Sequence, residues 1–513
     1  MMTLEKKITR REAITGGIAT AGVGALSLMG AAGIAHAAQP AGVAAAAQPA
    51  GGESEFDTVI LGAGCAGMVC AIHAAELGLK PILVEKMSRP AGNSLYAGGI
   101  FLGLSTRFQK AQGVNAEDSE QLFYDDMIKM SQGKGDPVLT RYFVQHCNSA
   151  LEWLSDVVGI KWAKIETEAY PARGRSHVVD GPSKPGGSQL VMQLFEQVKA
   201  RGIPVLTNTK ALELLTDNKF AVTGVKVVGN EGIKHLKGKY GVVIATGGFH
   251  AAEDLVTTYM GGWAAQMPIR GSRIITGENL NLTRPLYAKM VNIDQFHAGP
   301  IYGSANPSIL VNYGPLVTKE GKRYIDEVNT YVRVAKETAR QIKENLAFII
   351  IDEASKETSS TVKERFARYE RNKAPVYQSD TIEGLAKAAG IDPQALVATI
   401  KEYNDAISNQ RTGELNPPLT LENPRRIDKA PFYAFPFQGG MTATFGGPLV
   451  NVKTEVLNGE RKTIRGLYAI GNSIGGLFYD DYIVGAQLTA ATIFGITCAE
   501  ELNKKRQAAV KAA

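Results

Sequence analysis

The run Phe56-Asp-Thr-Val-Ile-Leu61 is followed by Gly62-Ala-Gly64-Cys-Ala-Gly67 and by a helical pattern from Met68 to Leu79. No other feature constrains the fold as strongly. A second apolar run, Pro81-Ile-Leu-Val, ends on Glu85. Strand, glycine turn, helix, strand and acid in this order predict a parallel βαβ unit. The first glycine permits the tight turn. The second lets a pyrophosphate approach the backbone at the helix N-terminus, and the third lets helix and strand pack closely. Glu85 can accept hydrogen bonds from a ribose. Gly62, Gly64, Gly67 and Glu85 together predict a bound dinucleotide.

The chain has 513 residues, room for two or three domains. With 44% hydrophobic and 21% charged residues it has the composition of a globular protein. A net charge of +6 without a lysine and arginine run argues against a nucleic-acid partner. Cys65, Cys70, Cys147 and Cys498 form no Cys-x-x-Cys pair, so structural zinc, iron–sulfur clusters and covalent haem are not expected, nor any other metal site. Cys65 and Cys70 flank the glycine turn and read as small packing residues.

Residues 1–37 carry Thr9-Arg10-Arg11-Glu12, a weakly apolar Ala/Gly stretch and Ala35-His36-Ala37, a small-x-small cleavage pattern. Paired arginines before a weak apolar region resemble a twin-arginine signal, which exports folded, cofactor-loaded proteins. An ordinary secretory signal or an uncleaved anchor are the alternatives. Residues 38–54 read as a flexible linker. Later apolar runs are too short to span a bilayer, so the mature chain is expected to be soluble and periplasmic.

Helices are predicted over 136–158, with Asp136-Pro137 at the entrance, and over Leu190 to Ala200. Strands are predicted at Ile203–Leu206, Ala221–Val228 and Val242–Ala245. From 293 to 442 the pattern changes to a mixture of helices and loops. Leu467-Tyr-Ala-Ile470 again reads as a buried strand, and Gln487 to Glu501 as a helix. The first and last parts, 55–292 and 443–513, therefore read as one domain interrupted by 293–442.

Further along lie Ala91-Gly-Asn93-Ser94-Leu-Tyr-Ala-Gly98-Gly99, Ala245-Thr-Gly-Gly-Phe249, Thr276-Gly277-Glu278, Gln295-Phe-His297 and Gly321-Lys-Arg-Tyr-Ile-Asp-Glu327. Phe445-Gly-Gly447, Gly466-Leu-Tyr-Ala-Ile-Gly-Asn472 and the loop Gly475-Gly-Leu-Phe-Tyr-Asp-Asp-Tyr482-Ile-Val-Gly485 follow. With these motifs, residues 55–505 resemble the flavoprotein family of fumarate reductases, succinate dehydrogenases and 3-ketosteroid dehydrogenases. The resemblance implies an α/β fold: a Rossmann-like FAD-binding domain interrupted by an α+β substrate-capping domain. It implies FAD contacts from Ala66, Glu85, Lys86, Asn93, Ser94, Gly98, Gly99 and Ala211. Thr246, Gly247, Glu278, Asn472, Gly485, Leu488 and Thr489 complete the implied set. Glu278 stands where the family usually has aspartate, and Asn472 where many members have glutamate.

Fumarate reductases clamp a dicarboxylate with arginines and histidines. Carried over position by position, the family histidine is kept as His297. The proton-donating arginine falls on Tyr331, the histidine pair on Thr442 and Ala443, and the arginine of the closing loop on Tyr482. Each lost charge-assisted hydrogen bond is worth roughly 1.5–3 kcal/mol, which argues against fumarate. The two tyrosines resemble the 3-ketosteroid dehydrogenase and tricarballylate dehydrogenase branches.

The resemblance thus implies an FAD enzyme that reduces, or forms, a C=C bond conjugated to a carbonyl or carboxyl group. Tyr482 and Tyr331 would activate or protonate the substrate, with His297 and Arg333 assisting. The electron donor would be a separate protein, a cytochrome c or a quinol-linked one. Two other readings stay open: an arginine-clamp carboxylate reductase in which Arg333 supplies the missing cation, and a non-catalytic flavin carrier. Arg175 and His177 are weaker candidates, read as a solvated loop. Asp480 and Asp481 are expected to cap the turn, with Asp481 orienting Tyr482.

Overall fold

The computed structural model describes residues 54–90, 92–114, 117–166, 173–303 and 305–512. The expected signal segment lies outside the described residues. The described residues form one compact unit.

The βαβ reading is realised at the centre of an eight-stranded sheet. Ser54–Leu61 lies between Pro81–Val84 and Gly232–Ile244, parallel to both. Thr463–Ala469 and Val205–Leu206 extend the parallel layer on either side. Val59, Ile60, Val242 and Val243 are fully buried, as a sheet covered on both faces requires. The helix Cys65–Glu76 starts directly after the glycine turn, and the long helix Ala486–Ala512 packs against it. The first strand begins at Ser54, inside the expected linker.

The segment 293–442 departs from the expected mixture of helices and loops. It builds a five-stranded antiparallel sheet from Phe296–Ile301, Leu316–Thr318, Ala347–Asp352, Tyr377–Ser379 and Phe432–Thr444. Ala347-Phe-Ile-Ile-Ile-Asp352 is buried along its whole length, and a continuous apolar run has no period to announce it as a strand. The Phe432–Thr444 strand runs past the boundary expected at 442, carrying the second sheet to the edge of the first domain.

The helix Tyr331–Gln341 rests on this second sheet at Gly439. A Cβ there would stand 1.9 Å from the Ala335 carbonyl oxygen, so only glycine allows the approach. Asn345 clamps the same glycine from the side. Its Nδ2 donates to the Gly439 carbonyl at 2.9 Å, and its Oδ1 accepts the Gly439 N–H at 2.8 Å. Gly439→Ala should push the helix outward and destabilise the protein by about 1–3 kcal/mol. Thermal unfolding checks this, and an unchanged midpoint would mean that the helix does not depend on that contact.

Candidate active site

A cleft opens at the carboxyl ends of the parallel strands. The glycine turn forms its floor through Gly62, Gly64 and Ala66. Glu85 stands at its side with the carboxylate fixed by backbone. Oε2 accepts the Ala63 N–H at 3.0 Å and Oε1 the Met87 N–H at 2.9 Å. Lys86 donates to Glu278 Oε1 at 2.7 Å and to Thr276 Oγ1 at 2.9 Å. Burial alone would raise the Glu278 pKa, but the Lys86 ammonium holds it below the ordinary value. Asn93, Ser94, Ala211, Thr246, Gly247, Asn472 and Leu488 also face the cleft.

Five expected cofactor residues do not line it, and each has a packing reason. Gly67 lies under the turn, where a Cβ would stand 2.0 Å from the Gly62 carbonyl oxygen. Gly98 and Gly99 pack their loop against Ile100 and the Gly186 backbone, and Gly485 packs against Ile100. Thr489 points away: its hydroxyl oxygen accepts the Leu102 N–H at 2.8 Å, and the hydroxyl donates to the Gly485 carbonyl at 3.0 Å. Sequence reasoning missed Gln487, His250 and Lys210, placed Ala443 only at a lost substrate histidine, and read Cys65 only as packing; all five line the cleft. Gln487 adjoins Leu488, and His250 follows the Gly-Gly-Phe turn, so adjacency was the available signal.

Beyond Ala443 lies a second cluster. His297 Nε2 and the Tyr331 hydroxyl are 3.2 Å apart in hydrogen-bond geometry, and the Tyr331 and Tyr482 phenols lie close enough to influence each other's ionisation. The His297 and Tyr482 rings meet edge to face, with centroids 4.8 Å apart. Phe445 and Phe478 each lie 5.9 Å from the Tyr482 ring. The sequence therefore brought Tyr331, Tyr482 and His297 to one place. Burial, then the charges of Arg270 and Lys336, hold the His297 pKa well below its ordinary value, so the imidazole is neutral. Burial raises both phenols, which stay protonated through the physiological range.

Arg333 does not join them. It lies two residues beyond Tyr331 on the same helix, which turns it to another face. Its guanidinium is exposed and pairs with Asp480 at 3.1 Å. The cations that do reach the cluster are Lys336 and Arg270, and sequence reasoning singled out neither. Arg270 NH1 donates to Thr442 Oγ1 at 3.0 Å.

Arg175 and His177 are not a solvated loop. Arg175 is 2% exposed and pairs with Asp118 at 2.5 Å and Asp126 at 2.8 Å. His177 is fully buried and bonded to Thr106 Oγ1 at 2.7 Å. Asp118 and Asp126 lie about fifty residues earlier in the chain, so the local Arg-Ser-His string could not announce the pairing. Asp480 holds Arg333 and the buried Lys336. Asp481 accepts the Tyr482 backbone N–H at 2.7 Å and the Thr330 hydroxyl, which fixes where Tyr482 starts.

The sequence profile of the FAD binding domain family matches residues 57–479. The chain belongs to that family. A NADH:fumarate oxidoreductase of Klebsiella pneumoniae is 30% identical over 88% of this chain and 48% of its own length. The chain thus spans about half of that relative. A fumarate reductase (cytochrome) of Shewanella frigidimarina is 27% identical, over 87% of this chain and 77% of its own. The open conformation of a flavocytochrome c3 fumarate reductase superposes with a TM-score of 0.74 at 24% identity, over 88% of this chain and 78% of the other.

The chain is accordingly an FAD-dependent oxidoreductase, and its cleft fits the cofactor. Three buried polar atoms on the lining have no protein partner: Glu278 Oε2, His250 Nδ1 and Gln487 Nε2. His250 Nε2 lies 2.9 Å from the Ser272 carbonyl and donates to it, which leaves Nδ1 as an acceptor facing the cleft. Among the described residues no group of three or more His, Cys, Asp or Glu is placed to hold a metal ion.

Burial raises the Asp481 carboxyl from 3.8 to about 6. An acid with a raised folded-state pKa binds its proton more tightly when folded. Its contribution to stability is full below 3.8 and is lost as pH rises through about 6. Asp481→Asn should remove that loss. Unfolding free energies of wild type and variant, compared from pH 4 to pH 7 by denaturant titration, should diverge in the variant's favour by roughly 1–3 kcal/mol. A constant difference across that range would contradict the assignment.

Proposed function

We propose that this FAD-dependent oxidoreductase reduces a C=C bond conjugated to a carbonyl or carboxyl group. The observation that carries the reading is the cluster Tyr482–Tyr331–His297, in which His297 bonds Tyr331 and meets the Tyr482 ring, placed just beyond Ala443 at the edge of the cofactor cleft. Relatives that are by name fumarate reductases support the reaction type.

Bound FAD supplies hydride transfer. The chain's own residues supply the rest: a proton for the neighbouring carbon and a hydrogen bond to the activating oxygen. Tyr331 is held by His297 Nε2 at 3.2 Å, with the Tyr482 phenol beside it. It gives the proton to carbon. Tyr482 donates to the activating oxygen or refills Tyr331. Neutral His297 fixes Tyr331 and accepts or donates according to its tautomer. The rings of Phe445, Phe478 and Tyr482 keep water from the reacting carbons.

The arginine-clamp reading through Arg333 has no geometric support, since its side chain is exposed and paired with Asp480. The twin-arginine pattern supports an exported, periplasmic enzyme. A separate cytochrome c or quinol-linked protein is then the electron source, because nicotinamide cofactors are not expected in that compartment.

Tyr331→Phe should lower kcat by roughly 10²–10⁴-fold, the usual yield of a positioned general acid. Tyr482→Phe should lower it as well, and both variants should keep their FAD. Turnover is measured with a reduced viologen as donor and an enoate or enone as acceptor. Undiminished turnover in both FAD-loaded variants would reduce the phenols to packing.

A further inference from the structure

Arg270 lies near the Tyr482–Tyr331–His297 cluster. It lies flat on the second sheet across Gly299 and Gly440: a Cβ on Gly299 would stand 2.8 Å from the guanidinium carbon, and one on Gly440 3.3 Å from Arg270 Cβ. The Arg270 backbone N–H donates to the Met441 carbonyl at 2.8 Å. This places the residue beside Thr442, whose carbonyl accepts from Asn93 Nδ2 at 2.7 Å and whose neighbour Ala443 lines the cofactor cleft. Its charge reaches His297, Tyr331 and Tyr482 alike.

Among the described residues the acceptors of the Arg270 guanidinium are neutral hydroxyls: Thr442 Oγ1 at 3.0 Å and Ser308 Oγ at 3.5 Å. A second guanidinium stands behind it. Arg365 donates to the Asn306 carbonyl at 3.0 Å, and Asn306 Oδ1 accepts the Ser308 hydroxyl at 2.6 Å. Among the described residues no carboxylate forms an ion pair with either arginine. The buried cation nearby, Lys336, is by contrast neutralised by Asp480 at 3.2 Å. Two partly buried guanidinium groups left without an anion, next to a site for a conjugated C=C bond, call for an anionic ligand.

We propose that Arg270, backed by Arg365, holds the carboxylate of the substrate, and that the substrate is an unsaturated acid with one carboxylate on an apolar body. The proposal rests on the reading of the reaction given above and deepens it. Phe445 and Phe478 pack on the Tyr482 ring, and their side chains offer a second carboxylate no cation. The guanidinium thus takes over, from another part of the fold, the clamping charge absent at Tyr331 and Tyr482. It also draws electron density toward the carboxylate end, which makes the distal alkene carbon the hydride acceptor.

The test is calorimetric binding to the oxidised, FAD-loaded protein, using 3-phenylacrylate and its uncharged methyl ester. Arg270→Met should weaken binding of the acid by roughly 10- to 100-fold and that of the ester by less than about 3-fold. Gly299→Ala keeps the charge but displaces the guanidinium, and should show the same acid-selective loss to a smaller degree. Equal losses for acid and ester, or an unchanged acid affinity in both variants, would overturn the assignment. If the acid binds through Arg270 yet does not reoxidise the reduced wild-type enzyme, the anion site stands and the reading of the reaction falls.

Discussion

The end of the Phe432–Thr444 strand is the joint on which the site depends. The Thr442 carbonyl accepts from Asn93 of the cofactor loop, and Thr444 Oγ1 accepts the Phe249 N–H at 3.0 Å. A Cβ on Gly248 would stand 1.9 Å from that same hydroxyl oxygen, so the parallel and antiparallel sheets meet here with no slack. One side of the strand faces the cofactor cleft through Ala443. The paired strand Phe296–Ile301 brings His297 opposite Ala443, and Arg270 is bonded to Thr442. A shift of the strand would separate hydride chemistry from proton chemistry, and effective catalysis tolerates little such separation.

Electrostatics divides the neighbourhood into a neutral interior and compensated surroundings. Burial keeps His297 unprotonated and both phenols protonated. Asp480 takes up Lys336 and Arg333 on the solvent side of the closing loop, while Asp481 holds the backbone of Tyr482. The charge left uncompensated is the arginine pair at the far end of the Thr442–Ser308 hydroxyls. Apolar rings and neutral hydroxyls with a cation at one end suit a small amphiphilic acid better than a fully charged diacid.

The glycine turn, Glu85 and the closing loop could be read from sequence because each serves a backbone demand with a fixed local spacing. Tyr331, Tyr482 and His297 were legible only through motif positions, and the structure brings them together. Arg270 was not. Its Pro-Ile-Arg-Gly-Ser setting has no local signature, and its partner Thr442 lies 172 residues away. Arg333 misled for the opposite reason: near Tyr331 in sequence, it is turned aside by helical geometry. The second sheet was hidden because Ala347–Asp352 is buried throughout and has no alternation. The burial of Arg175 was hidden because its acids come from a distant helix and loop.

The most direct test of the account is anaerobic stopped-flow reoxidation of the dithionite-reduced holoenzyme. It is mixed with 3-phenylacrylate, with the matching enone 4-phenyl-3-buten-2-one, and with the saturated acid as control. The account predicts saturable acceleration of flavin reoxidation by the unsaturated acid, none by the saturated one, and formation of the saturated product. Reoxidation no faster than in buffer, with every unsaturated acid and enone tried, would contradict it.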